Sequence, residues 1–314
     1  MTYRSRLSAS PSSAAPKLAL VLSLVGCASA QTPAPAANRF DGARAHEHVR
    51  QLVAIGPRVA GTPGGARARA YIGNQVKAIG LAADEQPFET TTPAGPTKMV
   101  NLRVSIPGGP STGSGPGRLI IAGHYDTKQF REFAFVGAND GGSSTAFLIE
   151  LARVLKGRKN ALPIELLFVD GEEAVVDWNT GNDNTYGSRH YVEAARKAGT
   201  LSQIRALVLV DMIGDRDLRI SRESHSTPWL TEIIWAAAKS LNRREFIDRE
   251  TAIEDDHLRF LEAGVPAVDI IDLDYPAWHT AADTLDKVSA ESLQAVGDVL
   301  LAALPEIEKR LLKP

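Results

Sequence analysis

The apolar positions along this chain change period several times, and each change marks an element. Apolar residues at helical spacing mark two amphipathic helices, over residues 43–55 and 64–79. Extended stretches are predicted next, over 85–91 and 99–106. The Gly/Pro/Ser-rich run 107–117 then reads as a surface loop. Beyond it, short runs that are apolar throughout alternate with helical patterns: strand 118–123, helix 143–155, strand 164–169, helix 187–197 and strand 206–210. Helices 229–241 and 255–263, strand 267–271 and a final helix from Ala290 complete the pattern. Strands without a polar face must be covered on both sides, and the intervening helices supply the cover. The expected fold is therefore α/β: three layers, αβα, around a mixed, mostly parallel central sheet. The pattern contains no internal repeat.

The first thirty residues have a different character. Arg4, Arg6 and Lys17 precede the apolar run 18–25, which is too short to span a bilayer, so residues 1–30 read as an export signal. Two processing sites are present. Leu24-Val25-Gly26-Cys27 resembles a bacterial lipoprotein box, and Ala28-Ser29-Ala30 suits ordinary signal peptidase. The lipoprotein reading is favoured, because Cys27 directly follows Gly26 and would serve as a lipid attachment point. Residues 31–39 then form a Pro/Ala-rich tether, and 40–314 a single folded domain. The expected location is periplasmic or cell-surface, lipid-anchored and otherwise secreted, with the anchor as the only membrane contact.

Composition narrows the chemistry. The 314 residues are 44% apolar and 23% charged, enough for one sizeable core. Basic and acidic residues number 35 and 37, for a net charge of -2, with no long basic run, so nucleic acid is not an expected partner. Cys27 is the only cysteine, which excludes an internal disulfide and a thiolate zinc cluster. A metal site here must use His, Asp and Glu.

Such residues gather where the strands end, the side on which sheets of this kind bind ligands. Strand 118–123 runs into His124-Tyr125-Asp126, and strand 164–169 into Asp170-Gly171-Glu172-Glu173. Strand 206–210 meets Asp211, and strand 267–271 leads through a short loop to Trp278-His279. Asp140 stands in Gly-Ala-Asn-Asp-Gly-Gly (137–142), just before a helix. Each has an ordinary explanation when taken singly: a helix cap or turn for Asp140, a solvated acidic loop for Glu172-Glu173, a turn histidine for His279. Together, Asp, Glu and His from separate strand ends suit the three-ligand set of a catalytic zinc with an open position. The adjacent Glu172 and Glu173 suggest a division of labour, one carboxylate on the metal and the other moving protons, with the proton carrier titrating above an ordinary Glu.

The order of these motifs, from His124-Tyr125-Asp126 through residues 137–142, Gly171-Glu172-Glu173, residues 210–214 (VDMIG) and Trp278-His279-Thr280, resembles the zinc aminopeptidase superfamily. The resemblance runs from about Arg58 to the C-terminus and implies a zinc aminopeptidase-like fold. In its two-zinc form it implies Asp140 as a bridge, Glu173 and His279 on one metal, and His124 and Asp211 on the other. Asp126 would then orient His124, and Glu172 would be the general base.

Within that superfamily the chain is most similar to the glutaminyl cyclases, which convert N-terminal glutamine to pyroglutamate with loss of ammonia. The similarity is carried by Gly171-Glu172-Glu173-Ala174 with Trp178, Tyr186-Gly187-Ser188-Arg189-His190, Asp255-Asp256-His257 with Phe260-Leu261, Gly264-Val265-Pro266, and Trp278-His279-Thr280. It implies a single working zinc on Asp140, Glu173 and His279, Glu172 as proton carrier, Asp211 and Asp256 as an acid network, and Trp178 and Trp278 as walls of a glutamine pocket. Packing for the tryptophans and a helix cap for Asp256 are the plainer alternatives. His190 and His257 are expected to be structural or supporting rather than ligands. The leading expectation is a zinc-dependent glutaminyl-peptide cyclotransferase acting on peptide or protein N-termini. A dinuclear zinc aminopeptidase and an inactive surface-anchored binding module are the alternatives, the intact Glu172 and ligand set weighing against the last.

Overall fold

A computed structural model describes residues 39–109, 117–179 and 182–313. The export signal, Cys27, nearly all of the tether and most of the 107–117 loop lie outside these residues.

The chain enters the domain through Phe40, whose ring lies against Phe147, centroids 4.8 Å apart. Asp41 then caps α1 (Gly42–Ile55), its carboxylate accepting from the amides of Ala43 and Arg44. Ala45, Val49 and Leu52, at helical spacing, form the buried stripe of α1. Helix α2 (Pro63–Ala78) starts with Thr62 as cap and Pro63 in its first turn. A long antiparallel pair follows, β1 (Asp84–Thr92) and β2 (Gly95–Ile106), joined by a tight turn.

The remainder alternates largely between strands and helices. In order it comprises β3 (Arg118–His124), α3 (Gly142–Gly157), β4 (Ile164–Val169), α4 (Tyr186–Lys197), β5 (Ile204–Asp211), β6 (Ile220–Glu223), α5 (Pro228–Ser240), β7 (Phe246–Thr251), α6 (His257–Glu262), β8 (Ala267–Ile271) and α7 (Ala290–Leu311). Six strands form one sheet in the order β1-β2-β4-β3-β5-β8. Strands β4, β3, β5 and β8 run parallel, whereas β1 and β2 add antiparallel at one edge, so the sheet is mixed and mostly parallel.

Strand β3 shows why three layers form. Leu119 and Ile121 pack into the core shared with α1, α3, α5 and α7, whereas Ile120 and Ala122 pack into the second core beneath α4 and α6. All four are buried, so period-two alternation buries apolar surface on both faces of one strand. Leu119, Ile120 and Ile121 each contribute roughly 1.5–3 kcal/mol relative to exposure. From β3 the chain crosses through α3 to β4 on one side, then through α4 to β5 on the other. This reversal opens a crevice at the carboxyl end of β3, where the candidate residues lie.

Two differences from expectation concern the segment after β5. Strands β6 and β7, a parallel pair forming a second small sheet, have no counterpart in the sequence reading. They are four and six residues long and carry Arg222, Asp248, Arg249 and Glu250, so no apolar run marks them. Helix α6 begins at His257 rather than at residue 255, with Asp256 at the cap position. Among the described residues, no helix is long and apolar enough to cross a membrane.

Candidate metal centre and cavity

His124 ends β3, and its imidazole is the hub of the site. Its Nε2 lies 3.1 Å from Asp211 Oδ1 at the end of β5 and 3.2 Å from Asp140 Oδ1. Its Nδ1 faces Asp126 Oδ1 at 3.5 Å and Glu172 Oε2 at 3.7 Å. Asp126 also accepts hydrogen bonds from the amides of Glu172 and Glu173, at 3.2 and 3.3 Å. One buried carboxylate thus sits beside the histidine and holds the loop that follows β4.

Asp140 stands just before α3. Gly141, not Asp140, occupies the cap position, with φ of 72°, and a Cβ there would fall 2.5 Å from Asp126 O and 3.1 Å from the His124 ring. The glycine therefore lets Asp140 approach the histidine. The second Asp140 oxygen, Oδ2, lies 3.3 Å from His279 Nε2, which is itself 3.2 Å from Glu173 Oε1. One carboxylate accordingly spans two imidazoles. His279 adopts φ of 53° and Met212, after Asp211, φ of 46°, left-handed conformations that side chains other than glycine rarely take. Such positions cost on the order of 1–3 kcal/mol and concentrate at functional sites.

Two overlapping donor sets result, Asp140–Glu173–His279 and His124–Asp140–Asp211, each with its donor atoms within 4.8 Å of one another. Zinc–nitrogen and zinc–oxygen bonds of about 2.0–2.2 Å in a tetrahedron put neighbouring donors about 3.3 Å apart. The observed histidine–carboxylate separations of 3.1–3.3 Å match that edge. Glu173 Oε2 is buried without a hydrogen-bond partner. The donor chemistry, spacing and unpartnered oxygen fit zinc.

The electrostatics describe a site rich in negative charge. Burial pushes Glu172 well above the usual carboxylate range; nearby His124 opposes this, and Glu173, Asp255 and Asp256 add to it. Burial and Asp140 raise Glu173 as well. Burial would also raise Asp140, but His124 and His279 outweigh it and hold its carboxyl low. Burial would lower His279, yet hydrogen bonds to Asp140 and Glu173 lift it to about 9. The acids hold protons or charged imidazoles close, the demand a divalent cation would satisfy.

A cavity of about 470 Å³ opens over this cluster. Glu172, Glu173, Asp140, His279 and Asp211 line it, and Trp178 and Trp278 stand in its wall. Trp278 is 43% exposed and stacks on His279 with centroids 4.4 Å apart, so it is a rim residue rather than core packing. Phe130 and Phe135 press edge-on against the same imidazole.

The acid network differs from expectation at one position. Asp256 is buried, but its Oδ1 accepts from Ser188 Oγ and it does not line the cavity; Asp255 does. Nor does Asp256 make a capping bond to α6. Burial raises Asp255 well above the usual range, with Asp211 and Asp256 adding to the effect. Burial brings Asp256 to about 6 against the Ser188 hydrogen bond. The two neighbours face different partners, a distinction that an Asp-Asp pair does not encode.

Histidines expected to be supporting lie outside both donor sets. His257 is buried between Glu223 Oε2 at 3.1 Å and Asp269 Oδ2 at 3.5 Å, and His190 stacks on Phe88. Sequence reasoning missed Asp255, Asp269, Arg58 and Asp283; the last two grip the main chain around Asp140.

The model of "Peptidase family M28" matches residues 101–304. A solved glutaminyl cyclase from an Acidobacteriales bacterium is 42% identical, with a TM-score of 0.81 over 89% of this chain and 100% of that one. A Mus musculus glutaminyl-peptide cyclotransferase-like protein is 28% identical, over 82% of this chain and 73% of its own. A leucine aminopeptidase precursor from Bacteroides thetaiotaomicron is 26% identical, with a TM-score of 0.77 over 85% of this chain and 98% of that one.

Proposed function

The chain belongs to peptidase family M28, and from that premise we propose that it is a zinc-dependent glutaminyl-peptide cyclotransferase. The reading is carried by one observation: a buried carboxyl outside the Asp140–Glu173–His279 donor set, Glu172, opens into the same tryptophan-walled cavity. The 42% identity to a solved glutaminyl cyclase supports it.

A zinc ion held by Asp140, Glu173 and His279 would supply Lewis-acid polarisation of the side-chain amide carbonyl of an N-terminal glutamine. Trp178 and Trp278 hold that side chain between apolar faces and limit the water that reaches it. Glu172 accepts the proton released as the α-nitrogen bonds to the side-chain carbonyl carbon. It then delivers that proton to the side-chain nitrogen as the carbon–nitrogen bond breaks, and ammonia leaves. Burial and the surrounding acids raise the proton affinity of Glu172, which suits a group that must both take and return a proton. Asp211 and Asp255 line the same cavity, and the Asp255 carboxyl adds to the rise in the proton affinity of Glu172.

A second reading has its own observation. His124, Asp140 and Asp211 are as tightly gathered as the first set, which favours a second zinc and a dinuclear aminopeptidase. Mass spectrometry of Gln- and Leu-initiated peptides incubated with the zinc-loaded protein, together with its zinc content, separates the two. Loss of ammonia from the Gln peptide, an intact Leu peptide and about one zinc per chain are expected. Release of the first residue with about two zincs would overturn the cyclase reading.

A further inference from the structure

Asp140 is the one carboxylate shared by both donor sets, so its position matters most to the metal. Its side chain leaves a turn, residues 136–140, whose main chain is gripped from both sides. On the amide side stands Asp283, 1% exposed and four residues beyond His279 in the chain. Its Oδ1 accepts from the amide of Asn139 at 2.8 Å, and its Oδ2 from the amide of Asp140 at 3.1 Å. Its carbonyl oxygen takes the amide of Ala138 at 3.4 Å. Three successive amides thus point at one residue, an arrangement suited to holding an anion.

On the carbonyl side stands Arg58, wholly buried just ahead of α2. Its guanidinium donates to the carbonyls of Val136, Gly137 and Asp140, and also to that of Tyr125. The turn therefore lies between a buried anion on its N–H groups and a buried cation on its C=O groups. Tyr275 Oη donates to Asp283 Oδ1 at 2.7 Å and so fixes the carboxylate from behind. The Asn139 side chain extends the brace to the loop after Asp211, donating to Met212 O at 3.2 Å and accepting from the Gly214 amide at 2.7 Å.

We propose that Asp283 is a positioning residue for the metal: it ties the turn bearing Asp140 to the loop bearing His279 and so sets the spacing of the two ligands. A residue that only stabilised its own loop would bond within that loop. Asp283 instead takes its amide hydrogen bonds from the segment that carries the other ligand. The inference rests on the zinc reading above. Partners that orient metal ligands in this way are typically worth about 10–100-fold in metal affinity.

The test is the zinc dissociation constant of the full chain, measured by competition with a chromophoric chelator, beside the melting temperature of the metal-free protein. Asp283→Asn offers an amide NH₂ to one of two N–H donors that now meet a carboxylate oxygen. It is expected to bind zinc about 10–100-fold more weakly with the metal-free protein still folded. Zinc affinity equal to that of the unaltered chain would overturn the proposal. Should Asp283→Asn not fold, Tyr275→Phe decides, since it removes only the hydroxyl behind the carboxylate. Weakening of about threefold or more supports the positioning role, and unchanged affinity overturns it. Activity does not enter this comparison, so absence of cyclisation in the unaltered, zinc-loaded chain would bear on the proposed function alone.

Discussion

Glu172→Gln isolates proton transfer from everything else the site does. Glutamine keeps the volume of the side chain, and the main chain stays held through the Glu172 amide on Asp126 Oδ1 at 3.2 Å. Glu172 belongs to neither donor set, and both remain intact. Glu173 is one of the acids that raise Glu172, so the substitution takes away a proton-binding group and no ligand. What disappears is the oxygen that, in the proposed mechanism, takes the proton from the α-nitrogen and returns it to the leaving ammonia. A positioned acid–base group is worth about 10²–10⁴ in rate. At about 1.4 kcal/mol per factor of ten, this raises the barrier by about 3–5.5 kcal/mol. The assay is steady-state ammonia release from a Gln-initiated peptide, with zinc content determined on the same sample. A fall in kcat of that size with KM and zinc content nearly unchanged is expected, whereas His279→Ala should lose both zinc and turnover. Glu172→Gln turning over within about threefold of the unaltered enzyme would refute the assignment of Glu172 as proton carrier.

Two further predictions concern the groups around that centre. Asp255→Asn should lower kcat by at least about tenfold, because Asp255 faces the cavity, whereas Asp256→Asn, whose partner is Ser188, should act mainly through stability; the reverse order in kinetics and thermal melting would return the network role to Asp256. Burial would raise Glu223, but hydrogen bonds from His257, the His225 amide and Ser226 outweigh it and hold the carboxyl at about 2, so its stabilising contribution is present above about pH 4.5 and is lost as pH falls toward 2. That shift corresponds to an upper limit of about 3 kcal/mol, and the melting-temperature gap between the unaltered protein and Glu223→Gln should be wide at pH 7 and narrow by about pH 3; a constant gap would contradict it.

The parts of this molecule legible in its sequence are those that repeat a simple period or end a strand. Strands β3, β4, β5 and β8 are apolar on both faces, so their runs stand out, and His124, Glu172, Glu173 and Asp211 are visible because they terminate or directly follow such runs. Strands β6 and β7 are short and carry charged residues, and no period marks them. The Asp255–Asp256 ambiguity has a different origin. Both are buried, and the fold turns one toward the cavity and the other toward Ser188 on α4. The clamp of Arg58 and Asp283 is less legible still. Each looks like a loop residue until the turn at 136–140 folds between them, from positions far apart in the chain.

The wide spread of the donor residues along the chain has a consequence for how a metal would be acquired. His124, Asp140, Glu173, Asp211 and His279 come from segments that are brought together only when β3, β4, β5 and β8 have aligned. Parallel pairings of this kind join distant segments and form slowly. The unfolded chain therefore offers scattered single donors, and a high-affinity set exists only in the finished sheet. A cation captured there acts as a late cross-link between segments that are remote in sequence. It stabilises the native state by mass action, about 4.1 kcal/mol when free metal stands a thousandfold above the dissociation constant. Metal loading would thus record completed assembly, and a chain with one crossover misplaced would lack the donor set.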